Sequence, residues 1–151
     1  MKNKNVLSKE VKTKLTHKHV LLDANFFIEA VASLDLFRPI VSELQDISCK
    51  AVSFPLIEFE VLRTSHQKEM REAKKRNLAI WNYVPLPLRP SLFSSALEFA
   101  NYYSAHSTSP SLTDCFIGAL LKEHRDLFLI TRNHKDFPPP LFIREGSFLI
   151  E

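Results

Sequence analysis

Three acidic residues stand where an α/β chain would place chemistry. Asp23 directly follows the apolar run Val20-Leu21-Leu22, Glu60 falls in a helical stretch opened by Pro55, and Asp114 closes Ser111-Leu112-Thr113-Asp114 just ahead of another helical stretch. Carboxylates held close together repel one another, so a structural role alone would make such a cluster costly. A divalent cation relieves the repulsion. Ligands that are all oxygen suit Mg²⁺ or Mn²⁺, and one or two such ions can activate water and stabilise the charge that develops in phosphodiester cleavage. No histidine joins these acids, which argues against a zinc hydrolase, and none of the six histidines shows ligand spacing. Each acid also has an ordinary structural reading. Asp23 reads as a helix N-cap, Glu60 as an exposed helix residue, and Asp114 as a first-turn acid complementing the helix dipole. The case for a site rests on their arrival, in order, at strand and helix openings.

The elements that must position them alternate along the chain. His19 to Asp23, Lys50 to Ser53 and Asp126 to Thr131 read as short buried strands, Ile80 to Leu88 as a strand running into a turn, and Leu141–Ile143 and Phe148–Ile150 as late strands. Between them, apolar residues recur at helical spacing over Ala24 to Leu36, in a second helix whose first turn holds Pro39, from Pro55 through Leu62, and from Pro90 through Tyr103. Another such helix contains Phe116, Ile117, Leu120 and Leu121, with Ser111 or Thr113 as its N-cap. This order predicts an α/β fold: a mostly parallel central sheet of four or five strands with helices on both faces. Ligands of such sheets lie at the carboxyl ends of the strands. That edge is where Asp23 and Asn25 follow the first strand, and where Thr131-Arg132-Asn133 closes the strand of Leu127 to Ile130.

The chain has 151 residues, the usual size of one domain. Residues 18–151 are expected to form it, and no internal repeat is visible. Residues 1–19 hold six lysines and one acid, so the formal charge of +3 hides a slightly acidic body behind a basic tail. Residues 1–17 are therefore expected to form a flexible basic arm, able to hold a phosphate backbone or simply to be solvated. Two cysteines are too few for a disulfide framework and point to reduced, packed thiols and a cytoplasmic setting. No apolar run reaches the ~18 residues of a membrane span.

These residues together resemble the PIN-domain family, in particular the small single-domain ribonucleases typified by VapC toxins. Val20-Leu21-Leu22-Asp23-Ala24-Asn25 is similar to the family's opening strand and first acid. Glu60-Val61-Leu62-Arg63 is similar to its Glu-Leu-x-Arg-Gly helix motif, with Thr64 in place of the glycine. Leu112 to Ala119 resembles its Asp-Ala-x-Ile-Ala-Ala segment, and Leu129 to Phe137 its closing Thr-Arg motif. The four occur in the family's order over about residues 20–137. The resemblance implies a PIN-like three-layer fold and a metal-dependent endoribonuclease using Mg²⁺ or Mn²⁺. Asp23, Glu60 and Asp114 would be the metal ligands, and Asn133 would stand where many members carry a fourth acid. Asn25, Thr131 and Asp136 are supporting candidates, and Glu58 is a secondary one. It sits about 200° around a helix from Glu60, so both cannot easily face one ion. The resemblance also implies RNA as substrate, a small antitoxin as partner, and a homodimer. The alternative, motivated by Asn133, is a catalytically degenerate PIN-like module that binds RNA or a protein without cutting.

Overall fold

The computed structural model describes residues 6–81, 83–105, 110–131 and 147–149. Within them five strands, β1 (His19–Leu22), β2 (Lys50–Ser53), β3 (Val84–Pro85), β4 (Leu127–Thr131) and β5 (Ser147–Leu149), form one sheet in the order β3-β2-β1-β4-β5. Each of these pairings is parallel, as the alternation of strands and helices predicts. The central strands are apolar almost throughout. Val20, Leu21, Leu22, Leu129 and Ile130 are all essentially inaccessible, the pattern of strands covered on both sides.

Among the described residues seven helices surround the sheet: α1 (Lys9–Leu15), α2 (Ala24–Glu29), α3 (Phe37–Asp46), α4 (Pro55–Arg63), α5 (Lys68–Trp81), α6 (Ser91–Ala105) and α7 (Leu112–Glu123). Pro55 opens α4, where a missing N–H costs nothing. Pro39 falls in the first turn of α3, which tolerates it for the same reason. The helical pattern from Ala24 to Leu36 is realised only as far as Glu29, and the chain then turns before α3. α6 and α7 pack closely side by side. Gly118 makes room for this: a Cβ there would lie 3.3 Å from the Phe99 ring.

Two expectations need correction. The strand predicted from Ile80 to Leu88 is mostly not a strand. Ile80 and Trp81 complete α5, where Leu78 and Trp81 extend its buried face and the Trp81 indole Nε1 donates to Val52 O at 3.0 Å. Among the described residues Val84 and Pro85 pair with β2, and Leu86 N adds a bond to Ser53 O at 2.7 Å. The pairing stops there because a segment holding Pro85 and Pro87 lacks the donors a longer ladder requires.

The basic N-terminal stretch is also not a free arm over its described part. Ser8 caps α1 through its side chain, and Leu7 and Leu15 are buried in the core. The Glu43 carboxylate accepts from the Val6 and Leu7 N–H groups at 2.7 and 2.9 Å and pairs with Lys12 at 3.1 Å. Lysine content is a poor guide here, because two leucines tie the helix down whatever its charge. Burial pushes the Glu43 carboxyl upward, but these hydrogen bonds and the Lys12 ammonium outweigh it and hold the group below its ordinary value.

Candidate functional site

From β1 the chain moves to one side, through β2 and β3, and then returns to β4 and β5 on the other side. The β1–β4 boundary is therefore the topological switch point, where an open α/β sheet leaves a crevice at its carboxyl edge. Asp23 and Thr131 stand at that edge. Leu22 pairs in register with Ile130, Asp23 N donates to Ile130 O at 3.1 Å, and the next residues along meet through their side chains.

Asp23 is the N-cap of α2, and its Oδ1 accepts from Ala24 N at 2.7 Å. Its Oδ2 accepts from Thr131 Oγ1, also at 2.7 Å. Asp23 is 9% exposed and Thr131 is fully buried. These two bonds orient the group from both oxygens. Asn25, two residues further on in α2, is exposed.

Asp114 occupies the third position of α7 and closes a capping box with Ser111. Asp114 N donates to Ser111 Oγ at 3.1 Å, and Ser111 N donates to Asp114 Oδ2 at 3.2 Å. Ser111 is one of the two caps expected from the sequence, but its reciprocal hold on the candidate ligand is new. The Ser-x-x-Asp spacing carried that signal. The thiol of the adjacent Cys115 is raised by burial first and by the Asp114 charge second. Cys49 is pushed up to about 11 by burial and donates through Sγ to Leu15 O at 2.9 Å. Both cysteines are free thiols, as expected.

Glu60 is half-buried on α4, beside the inward-facing Ile57 and Val61. α4 packs on α2 and touches α7, and Phe54 at its head meets the Phe116 ring of α7 with centroids 6.5 Å apart. α4, which carries Glu60, is thus a neighbour both of α2, which Asp23 caps, and of α7, which carries Asp114. Glu58 faces elsewhere. It accepts from the Tyr83 hydroxyl and lines an open groove with Leu62, Lys75 and Leu78. Tyr83 is pushed up to about 12, by burial first and then by Glu58. This different direction separates Glu58 from Glu60 as the two carboxylates of α4.

Among the described residues, no three acidic, histidine or cysteine side chains stand close enough to hold one ion. The structure brings Asp23 and Thr131 into contact, and α4, which carries Glu60, touches both α2 and α7. Asn133 and Asp136 lie outside the described residues. The donors that are present are all oxygen, which fits Mg²⁺ or Mn²⁺ and not a soft metal.

No family model matches this sequence, and no curated protein matches it. Among solved structures, the chain is similar to one in VapBC2 from Rickettsia felis, determined bound to a DNA fragment from their promoter. The TM-score is 0.67, with 14% identity over 88% of this chain and 99% of that one. The fold is therefore the three-layer α/β, PIN-like one, with an all-parallel sheet and helices around it. Among the described residues no helix is long and apolar enough to cross a membrane.

Proposed function

We propose that this protein is a metal-dependent endoribonuclease of the PIN, VapC-like kind. The observation that carries the reading is the Asp23–Thr131 pair, fixed at the carboxyl edge and at the switch point of a PIN-like sheet. The resemblance of four sequence segments, in order, supports it independently of the fold.

In this reading Asp23, Glu60 and Asp114 hold Mg²⁺ or Mn²⁺, with Asn133 as a neutral fourth donor and Asp136 in support. A bound ion would supply Lewis-acid stabilisation of the phosphodiester and a water activated at neutral pH. The protein's own part is orientation. Thr131 and Ala24 N fix the Asp23 carboxylate from two sides, and Ser111 fixes Asp114, so neither group must be ordered when substrate arrives. Asn25 is exposed beside Asp23, where it can contact the substrate strand.

A small antitoxin chain is the partner we propose, as the family resemblance implies. Phe59, Phe93, Leu97 and Leu112 are large apolar side chains left exposed and offer surface to such a chain or to a second copy. A toxin of this kind would work in the cytoplasm.

Purified protein incubated with a pool of structured RNAs and Mn²⁺, beside EDTA and Asp114→Asn controls, tests the reading. Cleavage lost in both controls supports it, and wild-type cleavage by folded Asp114→Asn rejects the assigned site. The second reading, a degenerate module that binds RNA or protein without cutting, draws on Asn133, a neutral side chain where the resemblance implies a fourth acid. Metal-independent RNA binding with no cleavage under any divalent cation would select it.

A further inference from the structure

We propose that the tip of the α4–α5 hairpin is an oxyanion site that takes a backbone phosphate of the RNA, an inference that rests on the nuclease reading for its ligand. Charge is sorted along this chain. Residues 63–76 carry six cations (Arg63, Lys68, Arg71, Lys74, Lys75 and Arg76) against Glu69 and Glu72. Outside that stretch and residues 1–19, eight cations face fourteen acids. A basic segment on an otherwise acidic body concentrates the field that a polyanion follows.

The hairpin tip is built for more than a diffuse field. Lys74 is only 4% exposed, and its ammonium donates to Thr64 Oγ1 at 2.9 Å. No carboxylate among the described residues pairs with it. Taking an ammonium out of water without a counter-charge is unfavourable, and two of its three donors remain unspent. Ser65, the next residue after Thr64, is also 4% exposed, and its Oγ has no hydrogen-bond partner among the described residues. Arg71 Nη2 donates to Ser65 O at 3.1 Å, which pins a guanidinium to the same turn. Arg63 and Lys68 flank the turn, exposed and without an acidic partner among the described residues. A buried ammonium and a fixed guanidinium meet at the Thr64-Ser65 turn. A phosphate, with several acceptor oxygens and a negative charge, satisfies both.

The placement suits a substrate strand. The hairpin is rooted at the carboxyl end of β2, where α4 begins two residues after Ser53 and Trp81 returns to bond Val52 O. Thr64 lies one turn beyond Glu60 on the same face, about 6 Å further along the axis. A nucleic acid strand carries one phosphate per ~3.4 Å of helix axis, so the tip can engage a phosphate one or two positions from the scissile one.

Anisotropy of a fluorescein-labelled single-stranded RNA, titrated in EDTA over a range of salt, tests this without relying on cleavage. The exposed double variant Arg63→Gln/Lys68→Gln is compared with Lys74→Met and wild type, each checked for folding by circular dichroism. Both variants should bind more weakly across all RNA sequences. The slope of log K against log salt should shrink by about 0.7 for each phosphate the variant no longer neutralises. Wild-type slope and affinity in the folded double variant overturn the proposal, as does a wild-type protein that binds no RNA. A wild type that never cuts with Mn²⁺, yet shows the expected change of slope in the variants, rejects the nuclease reading and leaves the phosphate site standing.

Discussion

The Thr131 hydroxyl donates to the Asp23 carboxylate at 2.7 Å, joining the ends of two strands 108 residues apart in the chain. The bond is fully enclosed on the Thr131 side and nearly so on the Asp23 side. One short bond therefore ties the candidate catalytic carboxylate to the sheet that positions it. Replacing Thr131 with Val takes a donor away from a buried carboxylate oxygen, which should cost about 1–3 kcal/mol. Urea unfolding measures that loss. Thr131→Ser should retain most of the stability, and RNA cleavage should follow the same ranking. Cleavage by Thr131→Val equal to that of Thr131→Ser would argue that the bond does not serve the site.

Asp114 has two roles in this reading, and they can be separated. Ser111→Ala removes the cap and should cost about 0.5–2 kcal/mol while leaving the Asp114 charge in place. Asp114→Asn keeps an acceptor for Ser111 N and should fold nearly as well as wild type, yet lose Mn²⁺-dependent cleavage. Thermal melts and single-turnover cleavage assays on the two variants should give opposite patterns.

The two acids of α4 should also behave differently. Glu60→Gln should abolish cleavage and leave Tyr83 titrating as in wild type. Glu58→Gln should retain cleavage but bring Tyr83 down from about 12 towards the ordinary phenol value, since a carboxylate that disfavours the phenolate has gone. Ultraviolet titration of the tyrosines reads the second effect directly.

The attachment of α1 should weaken in acid. Glu43 is held below its ordinary value in the folded chain, so its contribution is present above the unfolded carboxyl value and is lost as the pH falls through the lower, folded one. Amide exchange at Val6 and Leu7 should therefore accelerate on acidification, before the core opens. In Glu43→Gln it should be fast already at neutral pH. Exchange at these two amides that stays slow in the variant would show that Leu7 and Leu15 hold the helix unaided.

The sequence alone was enough for the sheet's character, and it nominated the candidate acids. Val20-Leu21-Leu22 and Leu127 to Ile130 are apolar without interruption because strands buried on both faces need no polar side, and a polar residue that ends such a run is conspicuous. Local signals also placed Pro55 at a helix start and narrowed the cap of α7 to Ser111 or Thr113, since both depend on backbone donors within a few residues. Tertiary structure alone decided what depends on distant partners. Lysine content suggested a solvated arm, but Leu7, Leu15 and the Glu43 carboxylate, up to 37 residues away, decided that α1 is packed. The apolar run ending at Leu88 suggested a strand, but Trp81 reaching Val52 O made its first part a helix. The motif and the helical period already set Glu60 apart from Glu58, and the structure adds what Glu58 meets instead, the Tyr83 hydroxyl. Short-range pattern reports how a segment satisfies its own backbone. Which carboxylates share a crevice depends on the order in which parallel strands are laid side by side, and that order is settled by long-range packing.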